Sequence, residues 1–458
     1  MQVKQFRQKM ISAWAELGPR LLPFSDAATP DLPLSRLLRL SLFQVSVGMA
    51  LVLLIGTLNR VMIVELRVPA SLVSIMLALP LVFAPFRALI GFRSDTHRSE
   101  LGWRRVPYIW MGTLVQFGGL AIMPFALLVL SGGGQSSHAP AWIGQLGAAI
   151  AFLLVGAGMH TTQTVGLALA TDLAPVESQP KVVGLMYVML LVGMIVSALV
   201  FGALLKDFSP ARLIQVIQGA ALTTMVLNVI ALWKQEPRTR NRKPATQGGF
   251  RESWELFSKG EGAIRRLVAI GLGTMAFSMQ DVLLEPFGGE ILKLSVSTTT
   301  MLTATLALGG LTGFTLASNV LSRGFDPFRM ASIGAMVGVP AFLAVIASAA
   351  FNSQQLFMLG VLMIGFSGGL FSHGTLTATM NLAPKNMSGL ALGAWGAVQA
   401  TGAGVAIALG GVIRDVVAAY TNPTAGYVSV YALEIGLMVA AMIVMGPLIG
   451  RKREQAPA

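Results

Sequence analysis

The sequence predicts an all-α integral membrane protein of twelve transmembrane helices arranged as two six-helix pseudo-repeats. Three observations carry this reading: a composition too apolar for water, a regular series of span-length runs, and chain segments that recur at a fixed offset. Of the 458 residues, 54% are hydrophobic and 12% are charged, about half the charge of a typical soluble domain. Such a chain is neither an ordinary soluble enzyme nor a disordered scaffold, since disorder needs low hydrophobicity. The lack of cysteine excludes disulfide frameworks, thiolate metal sites and cysteine nucleophiles.

Taken in order, residues 1–36, with Trp14 and the series Pro19, Pro23, Pro30 and Pro33, are too polar to span. They also lack the basic start, apolar stretch and small-residue cleavage site of a signal peptide. They read as a cytoplasmic arm with an interfacial helix over 3–17. Apolar runs of about 20 residues cross a bilayer core as helices. In an N-terminal bundle, 37–233, such runs lie at 40–63, 70–91, 106–130, 141–166, 182–205 and 211–233. The stretch 234–263, rich in Arg, Lys, Gly and Gln, is the one long internal linker. A C-terminal bundle, 264–450, follows with runs at 265–290, 297–321, 328–350, 355–379, 388–413 and 427–450, then a tail at 451–458. Charge, Pro or Gly clusters bound each run, and several neighbours are close enough to pair as antiparallel hairpins.

The basic residues orient the chain. With both termini on one side, 27 of the 33 Lys and Arg fall on that side and 6 on the other, whereas the acidic residues split 13 to 7. Lys and Arg concentrate in cytoplasmic loops, so both termini and the linker are expected in the cytoplasm. The net charge of +13 then reads as an orientation signal and a contact for anionic lipids, not as a nucleic-acid surface.

Thr171-Asp172-Leu173-Ala174-Pro175, Gly184-Leu185 and Lys206-Asp207 recur as Met380-Asn381-Leu382-Ala383-Pro384, Gly389-Leu390 and Arg414-Asp415, offset by 209 at the proline and 208 at the aspartate. Weaker matches link Arg39-Leu40 to Arg266-Leu267 and Arg67 to Lys293. Six plus six helices, a parallel repeat and a basic linker at the repeat boundary are the organisation of the major facilitator fold. The loop Gly91-Phe92-Arg93-Ser94-Asp95, then Gly102-Trp103-Arg104-Arg105, resembles the signature loop of that superfamily, with four extra residues before Gly102. Here Gly91 would allow close helix approach, Asp95 would pair with an arginine or cap a helix N-terminus, and Arg104 and Arg105 would bind lipid phosphate. A plain positive-inside loop accounts for the arginines equally.

Polar residues inside spans are expensive and mark candidate sites. The first span offers Gln44, Asn59 and Arg60; the seventh Gln280, Asp281 and Glu285; the twelfth Glu434. The carboxylates are expected toward the periplasmic helix ends, with Asp281 and Glu285 one turn apart on one face, as coupling groups, as groups solvated at the interface, or paired with Arg60 or Arg67. His97 and His138 fall in loops. His160 and His373 lie about 19 residues into spans four and ten. His160 is flanked by Gly156, Gly158, Thr161, Thr162, Gln163 and Thr164, and His373 by Gly368, Gly369, Ser372, Gly374 and Thr375. A neutral imidazole among small residues suits axial ligation of a chlorin magnesium, with Gln163, Thr164 and Ser372 lining the pigment; a plain inter-helix hydrogen bond is the competing reading. Gly309 with Gly313, and Gly389 with Gly393, have the spacing of close helix packing or of a lipid-facing groove for a partner helix or a pigment. No Gly-Lys-Ser/Thr phosphate loop, Gly-x-Ser-x-Gly elbow or His-Glu-x-x-His helix is present, so no enzyme is expected.

Longer motifs carry a more specific resemblance. Leu58-Asn59-Arg60-Val61-Met62-Ile63-Val64-Glu65-Leu66, Pro80-Leu81-Val82-Phe83-Ala84-Pro85-Phe86-Arg87-Ala88 and Phe92-Arg93-Ser94-Asp95-Thr96-His97 through Gly102-Trp103-Arg104-Arg105-Val106-Pro107-Tyr108 resemble the PucC/LhaA family. This is the bacteriochlorophyll delivery branch of the major facilitator superfamily in purple phototrophic bacteria. The arm Gly18-Pro19-Arg20-Leu21-Leu22-Pro23-Phe24 and the segments around Pro175 and Pro384 fit as well, so the resemblance spans essentially the whole chain. It implies an assembly factor that gives bacteriochlorophyll to light-harvesting antenna alpha and beta polypeptides and chaperones their assembly, with the reaction centre core complex as a further partner. Two other classes stay open: a proton-coupled secondary transporter of an amphipathic solute, and a scaffold that binds antenna helices without pigment.

Overall fold

The computed structural model describes residues 27–82, 90, 93–94, 102–132, 139–175, 178–237, 262–382 and 388–450, and all regular secondary structure among them is helical. The helices are α1 (Leu34–Glu65), α2 (Ala70–Val82), α3 (Val106–Leu130), α4 (Ala141–Leu173), α5 (Gln179–Leu204), α6 (Pro210–Leu232), α7 (Ala263–Glu290), α8 (Val296–Leu321), α9 (Pro327–Phe351), α10 (Gln354–Leu382), α11 (Ser388–Tyr420) and α12 (Pro423–Met445). Eleven are long and apolar enough to cross a membrane, and α2 is a shorter apolar helix within the described residues. The chain is a multi-pass membrane protein. The predicted interfacial helix over 3–17 lies outside the described residues.

α4, α10 and α11 run to Leu173, Leu382 and Tyr420, beyond the predicted ends at 166, 379 and 413. Polar residues such as Thr171 and Asp172 end the apolar run but not the backbone hydrogen bonding; α4 continues until the approach to Pro175, where proline cannot donate. Sharp starts are written more plainly. Ser209-Pro210, Asp326-Pro327 and Asn422-Pro423 open α6, α9 and α12, each polar side chain accepting the backbone N–H three residues on, at 3.2, 2.7 and 2.9 Å. The side chain takes up an N–H the helix leaves bare, and proline sits where no donor is needed.

α1 and α7 occupy equivalent places in the two repeats, and neither is regular throughout. α1 winds as π-helix over Val52–Leu58 and Val61–Glu65. α7 is α-helical to Ala276, passes through a 3-10 turn at Met279–Val282 and resumes at Leu284–Glu290. Each is followed by a left-handed residue, Arg67 (φ 53°) and Lys293 (φ 57°). The weak sequence match between those two therefore marks the same backbone turn in each half.

The halves meet along two seams, α2 with α11 and α5 with α8. At the end of the bundle away from the termini, Asp415 Oδ2 accepts the Ser71 N–H (2.7 Å), Ser297 Oγ donates to Gly202 O (2.6 Å), and the Thr57 and Thr300 hydroxyls bond at 3.2 Å. Within the C-terminal half, glycines zip α8 to α10. A Cβ on Gly309 would lie 2.1 Å from Leu362 O, on Gly313 2.1 Å from Phe366 O, and on Gly365 2.0 Å from Leu306 O. Gly309 and Gly313 thus face a helix of the same chain, which corrects the reading of this pair as a partner groove. The surroundings of Gly389 and Gly393 are not among those described.

Candidate functional site

Where α7 leaves the α-helix, the Gln280 N–H turns to α12, and Glu434 Oε1 accepts it at 2.8 Å. Gln280 Nε2 donates to Phe277 O (3.2 Å) and to Asp281 Oδ1 (2.5 Å). Further along, Glu285 Oε1 accepts from Thr303 Oγ1 of α8 at 2.8 Å. Thr303 in turn presses on α1 at Gly56, where a Cβ would lie 2.2 Å from its hydroxyl. Glu285 and Glu434 are buried and Asp281 is half-buried. The site therefore joins α7, α8 and α12 through polar atoms and packs against α1.

Three expectations change at this point. Glu434 is not near a helix end; it sits midway along α12 and is 0% exposed. Asp281 and Glu285 do not share a continuous helical face, because the chain between them departs from α-helix. Nor does Arg60 pair with either: it pairs with Glu65, donates to Leu294 O (3.1 Å) and lies over Gly289, where a Cβ would come 2.9 Å from its Nε. Asn59 links the same two helices, its Oδ1 accepting the Arg60 N–H and its Nδ2 donating to Val282 O at 3.2 Å. A second cluster was not read from the sequence. Arg414 pairs with Glu290 and with Asp415 (2.8 Å) and lies 4.7 Å from the Tyr427 ring centroid, while Tyr427 OH donates to Glu290 Oε2 (2.7 Å). Its signal was the repeated basic-acidic pair at 414–415.

The signature loop is held by two acids. Glu236, just after α6, accepts the backbone N–H groups of Arg104 (2.8 Å), Arg105 (2.9 Å) and Val106 (2.9 Å), placing an anion at the N-terminus of α3 where the helix dipole favours one. Asp172, at the end of α4, pairs with Arg104 and with Arg105 Nε (3.0 Å), and Arg105 Nη1 donates to Ser94 Oγ (2.6 Å). Arg105 is 4% exposed. Its guanidinium is committed inside the protein, which corrects the lipid-phosphate reading for that residue. Gly102 adopts φ 78°, a conformation glycine takes without steric cost. Gly91 and Asp95 lie outside the described residues.

His160 and His373 stand half-buried in α4 and α10. The repeat offset of 209 sets His160 against Gly369 and His373 against Thr164, so the imidazoles are not strict equivalents. Gln163 Nε2 reaches Gln44 Oε1 of α1 at 3.4 Å, and Ser372 O accepts from Thr375 Oγ1, which receives Trp395 Nε1 at 3.3 Å. The His373 ring packs against Phe314 of α8, centroids 4.2 Å apart and planes at 55°. Four of the five glycines near the imidazoles leave no slot for a flat ring, whereas a Cβ on Gly368 would meet only Phe277 Cδ1 at 3.7 Å. A Cβ on Gly156 would lie 2.3 Å from Pro80 Cγ, on Gly158 2.3 Å from Gln116 N, on Gly369 2.5 Å from Gly310 O and on Gly374 2.8 Å from Pro327 O. Neighbouring helices fill those spaces. The donor chemistry of a half-buried imidazole fits a chlorin magnesium, and a macrocycle there would rest outside the glycine contacts.

A family model for the PUCC protein matches residues 57–453. The chain belongs to the PucC family. Its relatives include protein PucC of Rhodovulum sulfidophilum, 68% identical over 408 residues that cover 88% of this chain and 90% of the relative. Protein PucC of Cereibacter sphaeroides is 61% identical over 440 residues, covering 94% and 96%. A more distant Rhodobacter capsulatus relative, named bacteriochlorophyll synthase 44.5 kDa chain, is 27% identical over 447 residues, covering 92% and 97%. Among solved structures, this PucC-family chain is similar to a POT family transporter in complex with a thioalcohol-conjugated peptide (TM-score 0.68, 13% identity, covering 93% of this chain and 100% of that one). It is also similar to a bacterial homologue of the iron transporter ferroportin in an inward-facing state (TM-score 0.66, 13% identity, covering 91% and 99%). At that identity the likeness establishes the major facilitator fold.

Proposed function

We propose that this chain is a non-enzymatic assembly factor that binds bacteriochlorophyll in the membrane and passes it to light-harvesting antenna alpha and beta polypeptides. The observation that carries the reading is the 68% identity to protein PucC across 88% of the chain, joined by the relative whose name contains bacteriochlorophyll. The imidazoles of His160 and His373 are the intramembrane side chains suited to holding such a pigment. When bound, the pigment supplies a magnesium that accepts a lone pair from imidazole nitrogen and a macrocycle that prefers an apolar surface. The chain's own part is to fix the imidazole on a packed helix and to shield it from water; Phe314 does so for one side of His373. The basic residues between 234 and 263 would face the cytoplasm and anionic lipid, with both termini on that side.

The test is gentle purification from the native membrane, an absorption spectrum, and identification of the polypeptides that travel with the protein. The reading predicts a chlorin band in fixed ratio to protein, together with antenna polypeptides, and a reduced ratio in the His160→Ala, His373→Ala double variant. Unchanged pigment in that variant would remove both histidines as ligands; colourless protein without antenna partners would remove the function. A second reading, proton-coupled transport of an amphipathic solute, draws on the buried Glu285 and Glu434 beside an interrupted helix. Solute flux in proteoliposomes that disappears in Asp281→Asn would favour it.

A further inference from the structure

We propose that the outward face of α6 is a contact between two copies of this chain, paired through the amides of Gln215 and Gln218 around Gly219. The inference does not rest on the pigment reading. α6 packs mainly on α1 and α3, and other helices form the two seams. Asn228 fixes which way α6 turns: its Nδ2 donates to Thr113 Oγ1 of α3 at 2.9 Å, and its Oδ1 accepts from Ser46 Oγ of α1 at 2.8 Å. The far side carries Gln215, Gln218, Gly219, Leu222, Thr223 and Val226, all exposed. Leu222 and Val226 are 64% and 49% exposed, and side chains so apolar place this face against lipid tails, not against an aqueous cavity.

Glutamine is out of place on such a face. α6 has 23 residues and is about 34 Å long, against a hydrocarbon core of about 30 Å. Gln215 lies about 8 Å along it and Gln218 about 12 Å, so the second amide is too deep to reach the headgroups. Neither side chain makes a hydrogen bond with a described residue. Gln44, Gln116 and Gln280, in other spans, are buried inside the bundle. An amide that faces lipid tails forfeits its hydrogen bonds, and a partner helix at the same depth restores them. A second copy, related by a two-fold axis along the membrane normal, brings each residue to its own depth. Because an amide both donates and accepts, the pair Gln215 and Gln218 complements itself, as a contact of one patch with its own copy requires. The backbones can close in as well. A Cβ on Gly219 would meet nothing within 4 Å. One turn on, Thr223 folds its hydroxyl back onto Gly219 O at 2.8 Å, which leaves a small surface with its polar group satisfied. Gly219 and Thr223 thus have the four-residue spacing of parallel helix pairs in membranes.

The chain has no cysteine, so single cysteines report the contact without background. In native membranes treated with copper phenanthroline, Leu222→Cys and Val226→Cys should each give a disulfide-linked dimer of the full-length chain. Ile443→Cys, on the exposed face of α12, should give none. In detergent micelles, energy transfer between donor- and acceptor-labelled copies should report a dimer whose Kd rises on the order of tenfold in the Gln215→Leu, Gln218→Leu double variant. Those substitutions take polar atoms off a lipid-facing surface, so the bundle itself should fold as before. Absence of the α6 cross-links, equal cross-linking through Ile443→Cys, or cross-links only to a different polypeptide would each overturn the proposal. So would a Kd that the double variant leaves unchanged.

Discussion

At Gly313 of α8, one methyl group would decide whether two helices can touch, because a Cβ there meets Phe366 O at 2.1 Å and a backbone atom cannot step aside. Gly313→Ala should therefore lower stability by about 1–3 kcal/mol, read as a fall in Tm in matched micelles. Gly396 of α11, with nothing within 4 Å of its Cβ position, should accept Ala without loss; equal effects at both positions would refute the zipper. The four-residue spacing of Gly309 and Gly313 was legible in the sequence, since small residues at that interval bring helices together. What they face was not, because spacing does not name the partner surface. Glu236 shows the opposite limit. Nothing local marks it, for its three N–H donors lie more than 120 residues earlier. Glu236→Ala should destabilise by about 1–2 kcal/mol through loss of a helix cap. A double-mutant cycle between Arg105→Gln and Asp172→Asn should show coupling of at least about 0.5 kcal/mol. Additive effects of the latter pair would mean the ion pair at 3.0 Å contributes nothing of its own.

Among the elements, regular helices were readable and irregular ones were not. Span-length runs and Ser-Pro, Asp-Pro and Asn-Pro starts specify α6, α9 and α12 because apolarity and capping act locally. The π-helical stretch of α1 and the break in α7 leave no mark on hydropathy, which averages over a run. Asp281 and Glu285 consequently read as one helical face when the chain between them is a 3-10 turn. The same blindness hid Glu434, whose role is to accept the N–H that α7 sets free. α2 shows how an element can depend on another half of the molecule. Its Ser71 N–H is accepted by Asp415 of α11 at 2.7 Å, an N-terminal cap supplied across the seam. Asp415→Ala should cost about 1 kcal/mol there, seen as roughly fivefold faster hydrogen exchange in the first turn of α2. Unchanged exchange would show that the seam packs without the cap.

Across the whole molecule, the internal duplication was legible because chain order preserves it, and the left-handed Arg67 and Lys293 mark it in the backbone. The departure from symmetry was not. In the repeat, Asp415 caps α2, whereas its sequence counterpart Asp207 is exposed, so one seam is tied by charge and the other by the neutral Ser297 bond. Both ties sit at the end away from the termini, with the Thr57–Thr300 contact at 3.2 Å between them. A chain with no cysteine of its own makes that contact testable, since Thr57→Cys with Thr300→Cys can be closed by oxidation without competing thiols. A transporter that alternates must part this contact in each cycle, so closure would stop solute flux. An assembly factor that presents pigment from the side of a closed bundle need not part it. On the proposed function, the oxidised pair should assemble antenna to the level of its reduced form, measured as antenna absorbance per cell. Loss of assembly that returns on reduction would instead place the opening of the two halves within the delivery step.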